Sequence, residues 1–357
     1  MPPFPRLTFV PLFFQRLALT GILVSTALAQ TPEPKPFLEA PRIGIIDFYG
    51  LHKVPEAKIR HALSLKPGDP LPKSKGDVED RIDQIGGVVE TQLSAVCCED
   101  GKAILYVGIA EREQPHFDIR EEPTGDVKLP GEVLDAYRQF LGTVNEAAQK
   151  GMAEDNLAQG HSLMSYGPAR TWQNLFLEFA KQYTKELRTV LRDSADEEER
   201  AAAACILAYY GRKFDIVEDL QFAMKDPSSS VRNNAMRALT AIAALNRRDP
   251  QAAPKVSPTW FIEMLNSVVW TDRNKASLAL LELTDSRDEQ TLRNLKERSL
   301  TALVEMARWK SLGHAFAPFV LVGRVAGLQE KEIQDAWSSG DRESVIGAAL
   351  GTGKRKK

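Results

Sequence analysis

Three side chains in this sequence are of the types that perform thiol chemistry. Cys97 and Cys98 are adjacent, and His161 stands between a glycine and a serine. A thiol next to an imidazole base is the usual arrangement of a cysteine nucleophile. No acidic or nucleophilic residue lies at an informative spacing from His161, so we expect a structural role for it. A thiol enzyme that uses these three residues remains the alternative hypothesis.

The two adjacent cysteines are expected to differ in environment. Neighbouring residues of a strand point to opposite faces, and a disulfide between them strains the backbone. We therefore expect one core thiol and one surface thiol. With Cys205 the chain has 3 cysteines, an odd and sparse set that predicts no disulfide framework.

Other chemistry-bearing motifs are absent from the sequence. It has no GxSxG, HExxH or CxxC pattern, and the GTGK of the tail lacks the first glycine and the following helix of a phosphate loop. We predict no catalytic, cofactor-binding or metal-binding residues. The formal net charge of -2 also argues against a nucleic-acid partner.

Residues 1–29 have the pattern of a cleaved signal peptide. They contain Arg6 and Arg16 without an acidic residue, then an apolar run, then Ala27-Leu28-Ala29. Cleavage after Ala29 leaves Gln30 at the front of an exported, periplasmic or secreted protein. The alternative is an uncleaved anchor, although the apolar run is shorter than the roughly 20 residues of a span. Membrane contact is expected only through a partner or that segment.

Three windows of the chain repeat one pattern, at residues 194–207, 226–239 and 267–280. Arginine, alanine and leucine fall in the same columns of all three. The columns contain Arg200, Arg232 and Arg273, then Ala203, Ala235 and Ala276, then Leu207, Leu239 and Leu280. The windows are offset by 32 and then 41 residues, which indicates stacked helical units.

The middle window predicts an amphipathic helix. Asp226 is a suitable cap and Pro227 suits the first turn, while Val231, Ala235 and Leu239 begin an apolar stripe. We expect the helix that follows, at residues 258–270, to pack back against this stripe as a hairpin. The windows resemble HEAT repeats, a resemblance that covers about residues 195–310 and implies a curved α-solenoid.

Residues 42–112 read as a different, smaller unit. Strand-like segments at 42–50, 88–96 and 102–111 surround two helical segments, in the order strand, helix, helix, strand, strand. The pattern of Phe48 with Gly50, Lys66-Pro67-Gly68-Asp69, Gly86-Gly87 and Glu111 resembles the POTRA domain of bacterial outer-membrane assembly and secretion proteins. The resemblance implies a three-stranded sheet with two helices on one face that docks other proteins.

The sequence therefore predicts a multidomain exported protein, with a small α+β domain followed by an all-α HEAT-like solenoid. The predicted layout is a signal peptide (1–29), a proline-rich tether (30–41), the POTRA-like domain (42–112), a linker (113–130), a helical domain (131–350) and a basic tail (351–357). We expect a non-enzymatic scaffold without cofactor that binds protein. The strand edge expected to accept a peptide contains Val88, Val89, Leu93 and Val96.

Overall fold

The computed structural model describes residues 41–352 of the chain. The predicted signal peptide, with Ala27, Ala29 and Gln30, lies outside the described residues, as do residues 30–40 of the tether and residues 353–357 of the tail. None of the helices within the described range is both long enough and apolar enough to cross a membrane.

The described chain begins with a small mixed sheet and two helices. They are β1 (Ile43–Tyr49), α1 (Glu56–Leu63), α2 (Lys75–Asp83), β2 (Val88–Glu99) and β3 (Lys102–Glu111). The strand order is β1-β3-β2, with β3 parallel to β1 and antiparallel to β2. Apolar residues of β3 such as Leu105 and Val107 pack with Ile59 of α1 and Ile82 of α2. This arrangement has the element order that the sequence predicts.

Helices make up most of the remaining described chain. They are α3 (Gly131–Gln149), α4 (Gly167–Gln182), α5 (Thr184–Asp193), α6 (Glu197–Leu207), α7 (Val217–Ala223), α8 (Ser229–Arg248), α9 (Thr259–Met264), α10 (Trp270–Leu283), α11 (Glu289–Ala307), α12 (Leu312–Val325), α13 (Glu330–Ser339) and α14 (Arg342–Leu350). A short hairpin of β4 (Asp155–Asn156) and β5 (Leu163–Met164) interrupts them between α3 and α4.

The helices form hairpins with other neighbours than the sequence predicts. α8 packs against the preceding α7, and α9 packs against α10 and α11, so the expected hairpin of residues 226–245 with 258–270 is wrong. Only five residues connect α7 to α8, from Met224 to Ser228, whereas ten residues separate α8 from α9. The short connection therefore makes α7 and α8 the hairpin. The repeating units are thus α5 with α6, α7 with α8, α9 with α10 and α11 with α12.

The second helices of these units stack side by side, with α8 between α6 and α10, and α12 beside α10. The repeated columns lie at these contacts, because the alanine and leucine positions are completely buried. Those residues are Ala203, Ala235, Ala276, Leu207, Leu239 and Leu280. Small side chains let neighbouring helices approach closely, which gives the alanine column its physical basis.

The start of α8 differs from the sequence prediction by two residues. The helix begins at Ser229 with Ser228 at the cap position, whereas Asp226 and Pro227 precede it. Asp226 lies fully buried and accepts the backbone N–H of Ser228 at 2.9 Å. Its carboxylate therefore shapes the turn before the helix and does not cap the helix itself.

The face of the sheet opposite α1 and α2 packs on the helical repeats. The ring of Tyr106 on β3 stacks on Trp270 at 5.2 Å and meets Trp309 at 4.8 Å. The Tyr49 hydroxyl donates to the carbonyl of Val268 at 2.8 Å. The sheet and the repeats therefore share one hydrophobic core.

The segment predicted as a linker, residues 113–130, runs along the repeats. Its backbone bonds to theirs, from Arg120 N to Lys225 O and from Gly125 N to Asp193 O, each at 2.8 Å. Arg120 also pairs with the buried Asp226. These bonds hold the connection between the sheet and α3 against the first two helix pairs.

Candidate protein-binding surfaces

Two buried ion pairs join neighbouring repeats. Arg200 on α6 donates from Nε to Asp226 Oδ2 at 3.0 Å, and Arg232 on α8 donates from Nη2 to Asp272 Oδ2 on α10 at 2.8 Å. All four side chains are essentially without solvent contact. Asp272 also accepts the hydroxyl of Ser267 at 2.7 Å, which satisfies a further lone pair.

The third arginine of the column continues the pattern. Arg273 on α10 donates to Glu305 on α11 at 3.1 Å. Each of the three arginines also binds a carbonyl six residues earlier in its own chain. The acceptors are Ser194, Asp226 and Ser267, at 2.8, 2.7 and 2.6 Å. One arginine thus closes the turn before its helix and ties that unit to the next, so these residues belong to the frame of the solenoid.

The strand edge expected to accept a peptide, β2, lies at one side of the sheet. The side chains of Val88 and Leu93 are buried under the helices, Val96 is partly buried beside the repeats, and Val89 is 59% exposed. Both faces of the sheet are therefore covered. What β2 offers a partner is its backbone edge, together with exposed side chains such as Val89 and Ala95.

The pairing of β2 with β3 fixes which backbone groups face outward. Leu93 lies opposite Val107, and its N–H donates outside the sheet to Glu79 Oε1 on α2 at 2.6 Å. Leu93 therefore occupies a non-hydrogen-bonded position of the antiparallel ladder. Thr91 and Ala95, two residues away on either side, direct their backbone groups to the same open side. Nothing in the spacing of the sequence signalled the contact of Glu79.

A cleft of about 440 Å³ lies between the end of the sheet and α11. Its walls include Val89 of β2, Ile119 of the connecting segment and Leu300 of α11. Val89 and Ile119 are among the large apolar side chains that are exposed to solvent. The cleft adjoins the first residues of β2, and its lining also contains charged side chains such as Glu90, Lys296 and Arg298.

Glu111, at the end of β3, holds the loop between β1 and α1. Its carboxylate accepts the backbone N–H groups of His52, Lys53 and Val54 at 2.8, 2.8 and 2.9 Å. Burial acts to raise the pKa of Glu111, but these three hydrogen bonds outweigh it and leave the pKa below its usual range. Glu111 is thus a structural anion, and this explains why a glutamate closes the strand.

Cys97 and Cys98 do not behave as the sequence predicts. Both are exposed at the end of β2, and they form a disulfide with each other. The expectation of one core thiol and one surface thiol is wrong, because the ladder of β2 with β3 is irregular between Val96 and Glu99 and the alternation of faces stops there. Cys205 keeps its thiol, and burial raises the pKa of that thiol to about 12.

His161 lies in the loop that joins β4 to β5, and its buried ring contacts that of Tyr209, with the ring centroids 5.0 Å apart. Neither ring nitrogen has a hydrogen-bond partner among the described residues. Burial, with a smaller contribution from the charge of Lys213, lowers the pKa of His161 to about 4. Neither Cys97 nor Cys98 contributes to its surroundings. Within residues 41–352 no cluster of His, Cys, Asp or Glu has the makings of a metal site.

Comparison with known proteins identifies the repeats. A family model for HEAT repeats matches residues 184–280, which cover α5 to most of α10. No curated protein matches the chain. The match and the stacked helix pairs together define a helical repeat solenoid of the HEAT type, with a small mixed sheet before it. The POTRA resemblance of residues 42–112 stays a prediction.

The solved structures that the chain is similar to include three designed proteins. One is a designed armadillo repeat protein, 16% identical, covering 52% of this chain and 93% of that chain, with a TM-score of 0.34. The second is a computationally designed armadillo repeat protein for modular peptide recognition, 15% identical, covering 62% and 100%, with a TM-score of 0.36. The third is a designed armadillo repeat protein in complex with a (KR)4 peptide, 14% identical, covering 63% and 100%, with a TM-score of 0.33.

Proposed function

We propose that this chain is an exported, non-enzymatic scaffold that binds protein partners through the edge of β2 and the surface of its helical repeats. Helical solenoids typically act as binding scaffolds, since their stacked units present an extended surface. The observation that carries the proposal is the position of β2. It is an edge strand in a sheet whose two faces are both covered.

Backbone recognition suits such an edge. A strand added to β2 gains hydrogen bonds that contribute about 0.5–1.5 kcal/mol each, and alternate side chains of the added strand supply specificity. Partner segments of different sequence can therefore use one edge. The cleft beside Val89 offers an apolar contact for one of those side chains.

The repeats hold this edge in a fixed place. The aromatic contacts of Tyr106 with Trp270 and Trp309 seat the sheet on the solenoid, and the buried arginines fix each unit to the next. A rigid surface loses little conformational entropy on binding. The solenoid and the strand edge therefore form one preorganised platform, with room for a partner to contact both.

The thiol alternative receives no comparable support. A reactive cysteine needs an accessible thiol with a lowered pKa. Cys97 and Cys98 are bound to each other, and the pKa of Cys205 is raised. His161 has neither Cys97 nor Cys98 in its surroundings, so it cannot act as their base. The geometry thus favours binding over nucleophilic catalysis.

Site-specific photocrosslinking in the native envelope tests the binding proposal. A photoreactive amino acid at Val89 or at Ala95, both exposed on β2, should yield a discrete adduct with a partner protein. The same group at Lys331 on α13, also exposed, serves as the control. Equal adducts at all three positions, or none at β2, would contradict a role for this edge. Deleting residues 42–112 is a poor control, because it uncovers Trp270 and Trp309.

Export is tested separately by the N terminus of the mature protein. We expect it to begin at Gln30 and to accumulate outside the cytoplasm. Ala29→Asp removes the small residue before the cleavage site, so the precursor should accumulate. Isolation of an unprocessed chain from the cytoplasm of wild-type cells would refute export. The binding proposal would still be tested by the photocrosslinking experiment.

A further inference from the structure

At the edge of β2, a side chain of the protein itself occupies the position where a partner strand would bind. Glu79 reaches from α2 to the outward N–H of Leu93, and its Oε1 lies 2.6 Å from that nitrogen. In a sheet, this N–H would donate to a carbonyl of the next strand. The carboxylate oxygen therefore stands where the carbonyl oxygen of an added strand would lie.

We propose that Glu79 is a reversible cover for the β2 edge, and that an extended peptide segment displaces it and takes over the N–H of Leu93. This inference rests on the proposed function, since it assigns the partner chemistry of the same edge. Exposed edges are aggregation sites that proteins commonly blunt with charged side chains or covering elements. A cover made of one side chain protects the edge and still leaves it open to a competing segment.

The surroundings of Glu79 permit this exchange. Its charge is balanced by Lys75 at 3.3 Å, one turn earlier on α2, in a pair that is partly exposed. Glu79 is only 15% exposed whereas Lys75 is 53% exposed and also donates to Gln92 at 3.3 Å, so rotation of Glu79 into solvent leaves an exposed, still hydrogen-bonded cation and no buried charge behind. The nearby N–H of Ala95 faces the same side, and Ala95 is exposed. The displacing segment therefore finds a further outward donor beside Leu93.

The charge of α2 defines the partner further. Between Lys75 and Asp83 the helix has four carboxylates against two cations, namely Asp77, Glu79, Asp80 and Asp83 against Lys75 and Arg81. An extended segment that is neutral or basic fits beside this helix, whereas an acidic one is repelled. At the end near Val89 it meets the cleft, which has apolar side chains beside charged ones such as Lys296 and Arg298. The partner chemistry is thus an extended segment without an excess of negative charge.

Amide hydrogen exchange of the full chain, resolved at Leu93, tests the cover itself. Glu79→Ala removes the acceptor, so the Leu93 amide should exchange about tenfold faster or more. Glu79→Gln retains an oxygen acceptor and should keep most of the protection. Asp80→Ala removes an exposed carboxylate from the same helix and should change nothing. Unchanged exchange in Glu79→Ala would overturn the cover, whatever the fate of the proposed function.

Binding of a displayed library of random nine-residue peptides tests the displacement. Selected neutral or basic peptides should bind Glu79→Ala about tenfold tighter than wild type, because the competitor for Leu93 is gone. Adding Ala95→Pro, which removes an outward donor without touching the bonds to β3, should abolish this gain. A thermal melt confirms that the double variant is folded. Faster exchange without any gain in peptide affinity would refute the edge as a binding site.

Discussion

Arg232 and Asp272 meet between two neighbouring repeats, where neither side chain reaches water. The guanidinium donates three bonds to the carboxylate and two more to backbone carbonyls before α8. At the residue scale, this buried ion pair connects two neighbouring repeats of the solenoid. Removal of one partner leaves the other buried and uncompensated, which costs far more than loss of a surface pair.

Arg232→Met should therefore lower the free energy of unfolding by about 3–5 kcal/mol. Urea denaturation of the full chain measures it. The matched control is Arg293→Met, because Arg293 forms an exposed pair with Glu289 one turn earlier on α11. That change should cost less than about 1 kcal/mol. Equal losses in the two variants would show that the buried pair is not what stabilises the stack.

The sequence signalled the arginines of these pairs, but it did not indicate which carboxylates they meet. Arg200, Arg232 and Arg273 recur in one column, so a role at the turns between units was predictable. Their partners lie 26, 40 and 32 residues further along the chain. No local periodicity specifies such distances. Only the stacking of one unit on the next decides which carboxylate meets which arginine.

His161 should make stability depend on pH. Its pKa is about 4 in the folded protein against an ordinary value of 6.5, because the buried ring resists protonation; the charge of Lys213 adds to this effect, while the backbone of Gln159 and the charge of Asp155 oppose it. Between about pH 4 and pH 6.5 the unfolded chain binds more protons than the folded protein, so the free energy of unfolding rises with pH. The contribution of neutral His161 to the free energy of unfolding is fully present above about pH 6.5. It is lost as the pH falls towards 4, by up to about 3 kcal/mol.

Denaturation curves at several values of pH check this dependence. His161→Phe keeps an aromatic ring against Tyr209 but cannot be protonated, so it should lose less stability than wild type between pH 6.5 and pH 4. Identical pH profiles for the two proteins would place the histidine in a solvated environment, contrary to its burial.

At the scale of elements, α8 lies between α6 and α10 and contributes Ala235 to a completely buried position. Ala235→Leu should cost about 1–3 kcal/mol through overpacking. The control on the same helix is Ala244→Leu at a half-buried position, where the larger side chain has room towards solvent. Melting curves measure both. A melting temperature unchanged by Ala235→Leu would argue against close stacking at this column.

The existence of these helices followed from their apolar periodicity, and their pairing did not. The stripe of α8 indicates that it needs a neighbour, yet it fits a preceding or a following helix equally well. The prediction chose the following one and was wrong. The five-residue turn between α7 and α8 decided the matter, because it brings those two helices together before the chain reaches α9.

At the scale of the whole molecule, the sheet and the repeats are in close contact at Gly108. Gly108 of β3 lies against the carbonyl of Val268, and a Cβ there would come within 2.6 Å of the Tyr49 ring. Gly108→Ala should therefore unseat the sheet and cost about 1–3 kcal/mol. Gly142→Ala on α3, where a Cβ meets open space, should instead stabilise by about 0.5–1 kcal/mol. Unfolding curves that move in the same direction for both would contradict the close contact.

The sequence alone determined the elements of this protein, from the order of strands and helices in residues 42–112 to the repeated columns of the solenoid. Those features rest on periodicity and turn chemistry, which act over a few residues. Tertiary structure alone decided the carboxylate partners, the burial of both sheet faces and the contact of Glu79 with Leu93. Each of these depends on which surfaces meet when distant segments pack, and short-range patterns do not encode that choice.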